Sequence, residues 1–92
     1  MANNFNTNPM QLDTAGAGSG IATDIAGIIV IANANSWSCI LKDASGGDVI
    51  FRADSAIASD RFVSFAPTTA IPVSGVYVDT LTNIAQVLFY QA

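Results

Sequence analysis

Four of the seven aspartates, the only acidic side chains of the sequence, flank two short loops. Asp43 and Asp48 bracket a glycine-containing turn, and Asp54 and Asp60 bracket the loop that follows. If both loops met at one end of the fold, the carboxylates could bind a hard cation such as calcium or hydrolyse a glycosidic bond. The spacing matches no EF-hand loop, and aspartate is ordinary in turns because its side chain accepts hydrogen bonds from nearby backbone amides. We therefore predict solvated turn residues and no metal site.

Other catalytic chemistry lacks the residues it needs. The sequence has no histidine, which removes the usual acid–base group near neutral pH and the commonest transition-metal ligand. Cys39 is the only cysteine, so it cannot form an internal disulfide, and its apolar neighbours on the same strand face favour a buried thiol. Gly16, Gly18 and Gly20 are not followed by the lysine that a phosphate-binding loop requires. We expect neither an enzyme nor a cofactor.

The aromatic side chains suggest one further binding chemistry. If Trp37, Tyr77 and Tyr90 were exposed together in a groove beside the loop aspartates, they could stack on a sugar ring. Tyr77 and Tyr90 alternate with apolar residues along their segments, which is more simply explained by rim or interface positions. A carbohydrate-binding or host-adhesion module is therefore the alternative to a protein whose role is contact with other proteins.

The composition is unusual in its low charge. Of 92 residues, 51% are hydrophobic and 11% are charged, against about a quarter charged in typical globular domains. The net charge is −4 and the three bases, Lys42, Arg52 and Arg61, are scattered, so we expect no nucleic-acid partner. No apolar run approaches the roughly 20 residues that span a bilayer, so we expect no membrane partner. A small domain with so few charges favours association with other protein chains.

Residues 25–42 predict two adjoining strands joined by a tight turn. Residues 28–31 are a run of β-branched side chains, which favour a pleated strand over a helix. The asparagines that follow tolerate turn conformations. Beyond the turn, Trp37, Cys39 and Leu41 share one parity, which predicts the two-residue period of a half-buried strand.

Shorter strands follow at regular intervals. Apolar alternation bounded by glycine, proline or aspartate predicts four of them, at 49–53, 62–66, 75–79 and 85–90. We expect a hairpin turn at 43–48 and a loop at 54–60 with room for one helical turn. Residues 21–92 are thus predicted to form an all-β domain, an antiparallel two-sheet sandwich or jelly roll of about six to eight short strands with almost no helix.

Residues 1–20 have the composition of an extended, flexible amino-terminal arm. They are rich in asparagine and end in repeated glycines, which cost too much backbone entropy to lie inside a regular element. Residues 9–12 could form an edge strand that begins at Pro9. Fully extended, such a segment reaches up to about 66 Å, far enough to pair with a neighbouring subunit. A frayed terminus is the alternative, and the sequence leaves both open.

Two strands carry apolar side chains on both faces. In residues 25–32 the odd-numbered and the even-numbered positions are both apolar, and residues 85–90 are similar. A sheet in a monomer usually shows one polar face to water, so another copy of the chain is the most economical cover for the second apolar face. Shielding by the arm and by residues 68–74 is the alternative. The predicted interface comprises Phe5, Met10, Leu12, Ile28, Val30, Leu88 and Tyr90.

Three segments share a loose pattern with known structural proteins: a hydrophobic strand that ends in a turn, a proline-bounded segment that leads to a glycine, and an aromatic closing strand. They are Ser38–Asp43 running into Gly46–Asp48, Phe65–Pro67 followed by Ile71–Val78, and Ala85–Tyr90. Through them, residues 24–91 resemble small β-sandwich structural proteins of tailed bacteriophages, such as head decoration or cement proteins.

This resemblance implies a virion protein, assembled in the host cytoplasm, that binds the major capsid protein or another virion protein and reinforces the shell. It also implies a homo-oligomer, a trimer or other ring, whose arm reaches a neighbouring subunit. A tail, neck or fibre component with a host-adhesion or carbohydrate-binding role is the alternative.

Overall fold

The computed structural model describes residues 3–55 and 62–92, and within them the chain is all-β. No helix occurs in the described residues, which confirms the predicted fold class. Most of the loop predicted at 54–60, with Asp60 and Arg61, lies outside them. The strands are β1 (Met10–Leu12), β2 (Ala17–Ser19), β3 (Thr23–Ile25), β4 (Gly27–Ala32), β5 (Trp37–Lys42), β6 (Val49–Ser55), β7 (Phe62–Phe65), β8 (Ile71–Val73), β9 (Val76–Thr82) and β10 (Ile84–Tyr90).

The strands form one long antiparallel hairpin that is rolled up. β1 pairs with β10, β2 with β9, β3 with β8, β4 with β7 and β5 with β6, so the apex lies between β5 and β6. Additional pairing of β10 with β4 and of β9 with β5 rolls the hairpin into two sheets. Sheet A has the order β1-β10-β4-β7, sheet B has the order β2-β9-β5-β6, and β3 and β8 form a separate ribbon. Eight strands wound in this order make a jelly-roll sandwich.

The apex is a tight turn between β5 and β6, as predicted for residues 43–48. The Asp43 N–H donates to the Asp48 carbonyl at 3.0 Å, and the Asp48 N–H donates to Asp43 Oδ1 at 2.9 Å. Gly46 has a φ of 73°, a left-handed conformation that glycine adopts without steric cost. The Asp43 side chain therefore stabilises the turn on which the whole hairpin is folded.

Consecutive strands β4 and β5 do not pair, which corrects the prediction of adjoining strands over residues 25–42. Residues 33–36 instead carry the chain from sheet A to sheet B, and Asn83, with a φ of 55°, makes the return crossover between β9 and β10. The crossovers are joined, because Asn33 N–H donates to the Asn83 carbonyl at 3.0 Å and Asn83 Nδ2 donates to the Asn35 carbonyl at 2.9 Å. Turn-forming asparagines suit a crossover as well as a hairpin.

Residues 10–19 belong to the sandwich, which corrects the prediction of a flexible arm for this part of residues 1–20. β1 and β2 form the outer strands of sheets A and B, and the Gln91 N–H donates to Asn8 Oδ1 at 2.9 Å. Met10 and Leu12 are only 3% and 0% exposed. Burial of these two side chains and strand pairing with β10 and β9 both contribute against the entropy cost of ordering a glycine-rich segment.

The core between the sheets is apolar throughout the described residues, with no buried polar side chain. β5 shows the predicted alternation, with Trp37, Cys39 and Leu41 buried and the residues between them half-buried. Phe51 of β6 and Phe65 of β7 meet with ring centroids 5.7 Å apart and close one side of the sandwich. The two outer faces of the sandwich are therefore set by the side chains of opposite parity.

Candidate functional site

The outer face of sheet A is apolar at its centre. Residues opposite each other on paired strands share a face, so the strand register assigns each side chain. Ile29 of β4 lies opposite Leu88 of β10, and Ile31 and Tyr90 lie on the same side. All four side chains are half-buried within the chain itself. We call Ile29, Ile31, Leu88 and Tyr90 the apolar face.

Two polar side chains, one on each outer strand, lie beside the middle of the apolar face. Gln11 of β1 lies opposite Leu88, and Ser64 of β7 lies opposite Ile29. Both are exposed, and the half-buried Gln86 lies opposite Ile31 at one end. An apolar centre with a polar rim is the usual anatomy of a protein–protein interface.

The outer face of sheet B has the opposite character. The charged residues found in the described strands of the two four-stranded sheets all belong to sheet B, and they are Lys42, Arg52, Asp54 and Asp79. Arg52 and Asp54 are exposed, and Lys42 Nζ lies 3.5 Å from Asp79 Oδ1. The outer face of sheet B is therefore more polar than that of sheet A, although Ile40 and the 52% exposed Val49 also lie on it.

The aspartates considered as cation ligands do not converge where the structure describes them. Asp43 and Asp48 lie at the apex, whereas Asp54 lies near the other end of the β5–β6 hairpin, opposite Ser38. Asp54 comes six positions after Asp48, a distance of roughly 20 Å along an extended strand. Within the described ranges, no three His, Cys, Asp or Glu residues form a group that could hold a metal ion.

The thiol of Cys39 is enclosed in the core. Its side chain is 0% exposed, and desolvation by burial raises its pKa to about 12. The thiol therefore keeps its proton at neutral pH and lacks the thiolate character that a nucleophile or metal ligand requires. Its role is that of a small apolar side chain, as its strand parity predicts.

A shallow depression of 280 Å³ lies beside Tyr77, where β2, β9 and the apex turn meet. Asp43 and Ser19 supply polar atoms to its lining. Asp43 Oδ1 already accepts the Asp48 N–H, and Ser19 Oγ accepts the Ile21 N–H at 3.4 Å. Asp43 and Ser19 thus bind the local backbone, and Ser45 also lines the depression.

The three aromatic side chains considered for stacking on a sugar are separated. Trp37 is 2% exposed and lies in the core. Tyr77 lies on the outer face of sheet B, and Tyr90 lies on the outer face of sheet A. No groove brings these three rings together, so the geometry expected for the carbohydrate-binding alternative is not formed.

Four of the seven predicted interface residues lie in the core of their own chain. Met10, Leu12, Ile28 and Val30 are at most 3% exposed. In this fold they cannot contact a partner, which corrects the prediction for these positions. The physical reason is that each side chain faces the opposite sheet, where burial within the chain is available.

The other three predicted interface residues keep part of their surface. Phe5 is half-buried and packs against the core, while Leu88 and Tyr90 belong to the apolar face. The prediction did not include Ile29 and Ile31, the other members of the apolar face, because β4 is apolar at both its odd and its even positions. The polar Gln86 indicates which side of β10 faces away from the core. Because β10 pairs with β4, the residues opposite that side, Ile29 and Ile31, lie on the same outer face.

Comparison with known proteins adds no relative, since no protein-family model, curated protein or solved structure matches the chain. Over residues 3–55 and 62–92, no helix is long and apolar enough to cross a membrane.

Proposed function

We propose that this chain is a structural virion protein that self-associates and binds the outside of a viral shell, as decoration or cement proteins do. The single observation that carries the proposal is the contrast between the apolar face of sheet A and the charged outer face of sheet B. A subunit with one face suited to burial and the other suited to water fits a position on the surface of a larger assembly.

Two further features support the proposal. The 11% content of charged residues is low for a monomeric domain and fits a chain that associates with other chains. The jelly roll is an architecture of viral capsid proteins, although lectins and cupins also use it. Because proteins of unrelated function share one fold, the jelly roll supports this role less strongly than the chemistry of the two faces does.

The proposed mechanism is reinforcement by repeated weak contacts. Each subunit buries apolar surface against its neighbours, and many subunits act on one shell, so their contacts add up through multivalency. The charged face of sheet B remains towards water and keeps the decorated particle soluble. No bond is made or broken in this role, and no cofactor takes part.

The proposal is tested on virus particles isolated from the cells that make the chain. Particles purified on a density gradient should contain the chain in a fixed ratio to the main shell protein, and a salt wash should not remove it. Particles made without the chain should release their nucleic acid at a lower temperature. A chain found only in the soluble fraction of the lysate, with particles of unchanged heat resistance, would overturn the proposal.

A further inference from the structure

The chemistry of the apolar face singles out its occupant. We propose that two copies of the chain pair through this face, sheet A against sheet A, about a two-fold axis that passes between Ile29 and Leu88. This inference deepens the self-association proposed above and rests on it, and it gives a two-fold pair where the resemblance implied a trimer or other ring. The pairing surface is the apolar face, its occupant is a second copy of the chain, and the affinity of the pair is low.

The strand register places Ile29 and Leu88 at the centre of the face. They form the middle row together with Gln11 and Ser64, one on each outer strand. Rows on either side of them contain Tyr90 and Ile31. A two-fold axis through the centre sets apolar side chains against apolar side chains and leaves the polar ones at the rim, as a self-complementary interface requires.

The charges exclude the head-to-tail arrangement. Stacking sheet A of one copy on sheet B of the next would cover the Lys42–Asp79 ion pair on the central strands β5 and β9 with apolar side chains. It would also bring the edge strand β6, with its exposed Arg52 and Asp54, against the same copy. Removing these charges from water against an apolar surface is costly and returns no compensating hydrogen bond. Sheet A against sheet A buries none of the charges of the described strands, so the association closes as a pair and does not grow into a filament.

The area of the face predicts a weak pair. Four strands about 4.8 Å apart, with an average length of about five residues, cover roughly 300–400 Å² per copy. The pair would bury roughly 600–800 Å² in total, below the range of about 1,200–2,000 Å² for stable interfaces. The chain should therefore exchange between monomer and dimer in solution, and the pair should become persistent only when a shell holds the copies together.

Pairing through sheet A also leaves a separate apolar surface uncovered. Ile21 is 74% exposed and Ile71 is 41% exposed, and both lie at or beside the β3–β8 ribbon. Pairing through sheet A leaves both of these side chains uncovered.

The first test compares two isoleucines on central strands. Ile29 lies on the outer face of sheet A and Ile40 on the outer face of sheet B, and both are half-buried. Sedimentation equilibrium on the wild-type chain from about 10 μM to about 1 mM should show a reversible monomer–dimer equilibrium. Ile29→Lys should weaken the dimer at least tenfold, and Ile40→Lys should leave it within about twofold of wild type.

The second test needs no substitution and so does not depend on how well a variant folds. Amide chemical shifts of the wild-type chain, followed by NMR over the same concentrations, should move in β4 and β10, and those of β5 and β6 should stay fixed. Shifts that move in sheet B, or equal weakening by Ile29→Lys and Ile40→Lys, would overturn the assignment of the face while self-association stands. A chain that is monomeric at every concentration yet present on particles would overturn the pairing and leave the structural role intact.

Discussion

Leu12→Ala tests whether the amino-terminal segment is part of the folded domain. Leu12 is 0% exposed and lies opposite Val87, so its side chain packs between the sheets. Truncating a buried leucine to alanine removes apolar contact and leaves a cavity, at a cost of about 2–5 kcal/mol. β1 is an outer strand of three residues and can relax around the cavity, so we expect about 2–3 kcal/mol.

This loss is large enough to measure directly. In a domain of this size each kcal/mol shifts the melting temperature by about 4–8 °C, so Leu12→Ala should melt about 10–20 °C below wild type. Urea unfolding followed by the fluorescence of Trp37, which is 2% exposed, reports the same transition. Both are measured at low micromolar concentration, where pairing of copies adds nothing to the apparent stability.

Gln11→Ala is the matched control on the same strand. Gln11 is exposed and faces away from the core, so we expect a change within about 0.5 kcal/mol. If Leu12→Ala and Gln11→Ala proved equally mild, β1 would contribute nothing to the folded chain. The segment would then be a free arm, and the assignment of Met10 and Leu12 to the core would be refuted.

Three other predictions concern single positions. Burial raises the pKa of the Cys39 thiol from 9.0 to about 12, so the unfolded state loses this proton at a lower pH than the folded state. Between pH 9 and 12 the free energy of unfolding should therefore fall more steeply in wild type than in Cys39→Ala. Equal slopes in denaturant titrations would contradict this. Asn83→Gly loses the hydrogen bond to Asn35, but glycine adopts the φ of 55° without strain, so it should cost about 1 kcal/mol by thermal unfolding. Asn83→Ala loses the same bond and is also strained at this φ, so it should cost about 2 kcal/mol. The reverse order would count against strain at this crossover. A Cβ on Gly75 would lie 2.7 Å from two backbone carbonyl oxygens, whereas one on Gly20 would have nothing within 4 Å, so calorimetry should show a loss of about 1–3 kcal/mol for Gly75→Ala and little change for Gly20→Ala; similar values for both would show that the backbone gives way.

The sequence predicts well those features that depend on neighbouring residues. Alternation along β5 indicates which side of Trp37, Cys39 and Leu41 is buried, because polar Ser38 and Lys42 mark the other side. Glycines between two aspartates predict the turn at 43–48, because only a few residue types suit its backbone angles. Both features are decided within about six residues, so no knowledge of distant strands is needed.

Features that depend on distant strands were predicted less well. Residues 10–12 contain too little apolar surface to indicate by themselves that they are core, and only the groove beside β10 makes their burial favourable. Asparagines at 33–35 predict a change of direction, but whether the chain stays in one sheet or crosses to the other is decided by β10, which takes the place beside β4. A strand some fifty residues away in the chain therefore decides this local outcome.

One property of β4 explains both the main error in the predicted interface and the surface proposed for pairing. In a strand with one polar face, the polar residues show which side chains face water. β4 is apolar on both faces, so its sequence alone does not show whether Ile28 or Ile29 lies in the core. The register with β10 decides it. Ile28 and Val30 then face the core, and Ile29 and Ile31 become part of the apolar face. If selection acted only on the folding of a single chain, polar residues at Ile29 and Ile31 would define the register and cost no core contact. Apolar residues at both positions therefore forgo that specificity, and burial against a second copy gives a physical reason for keeping them.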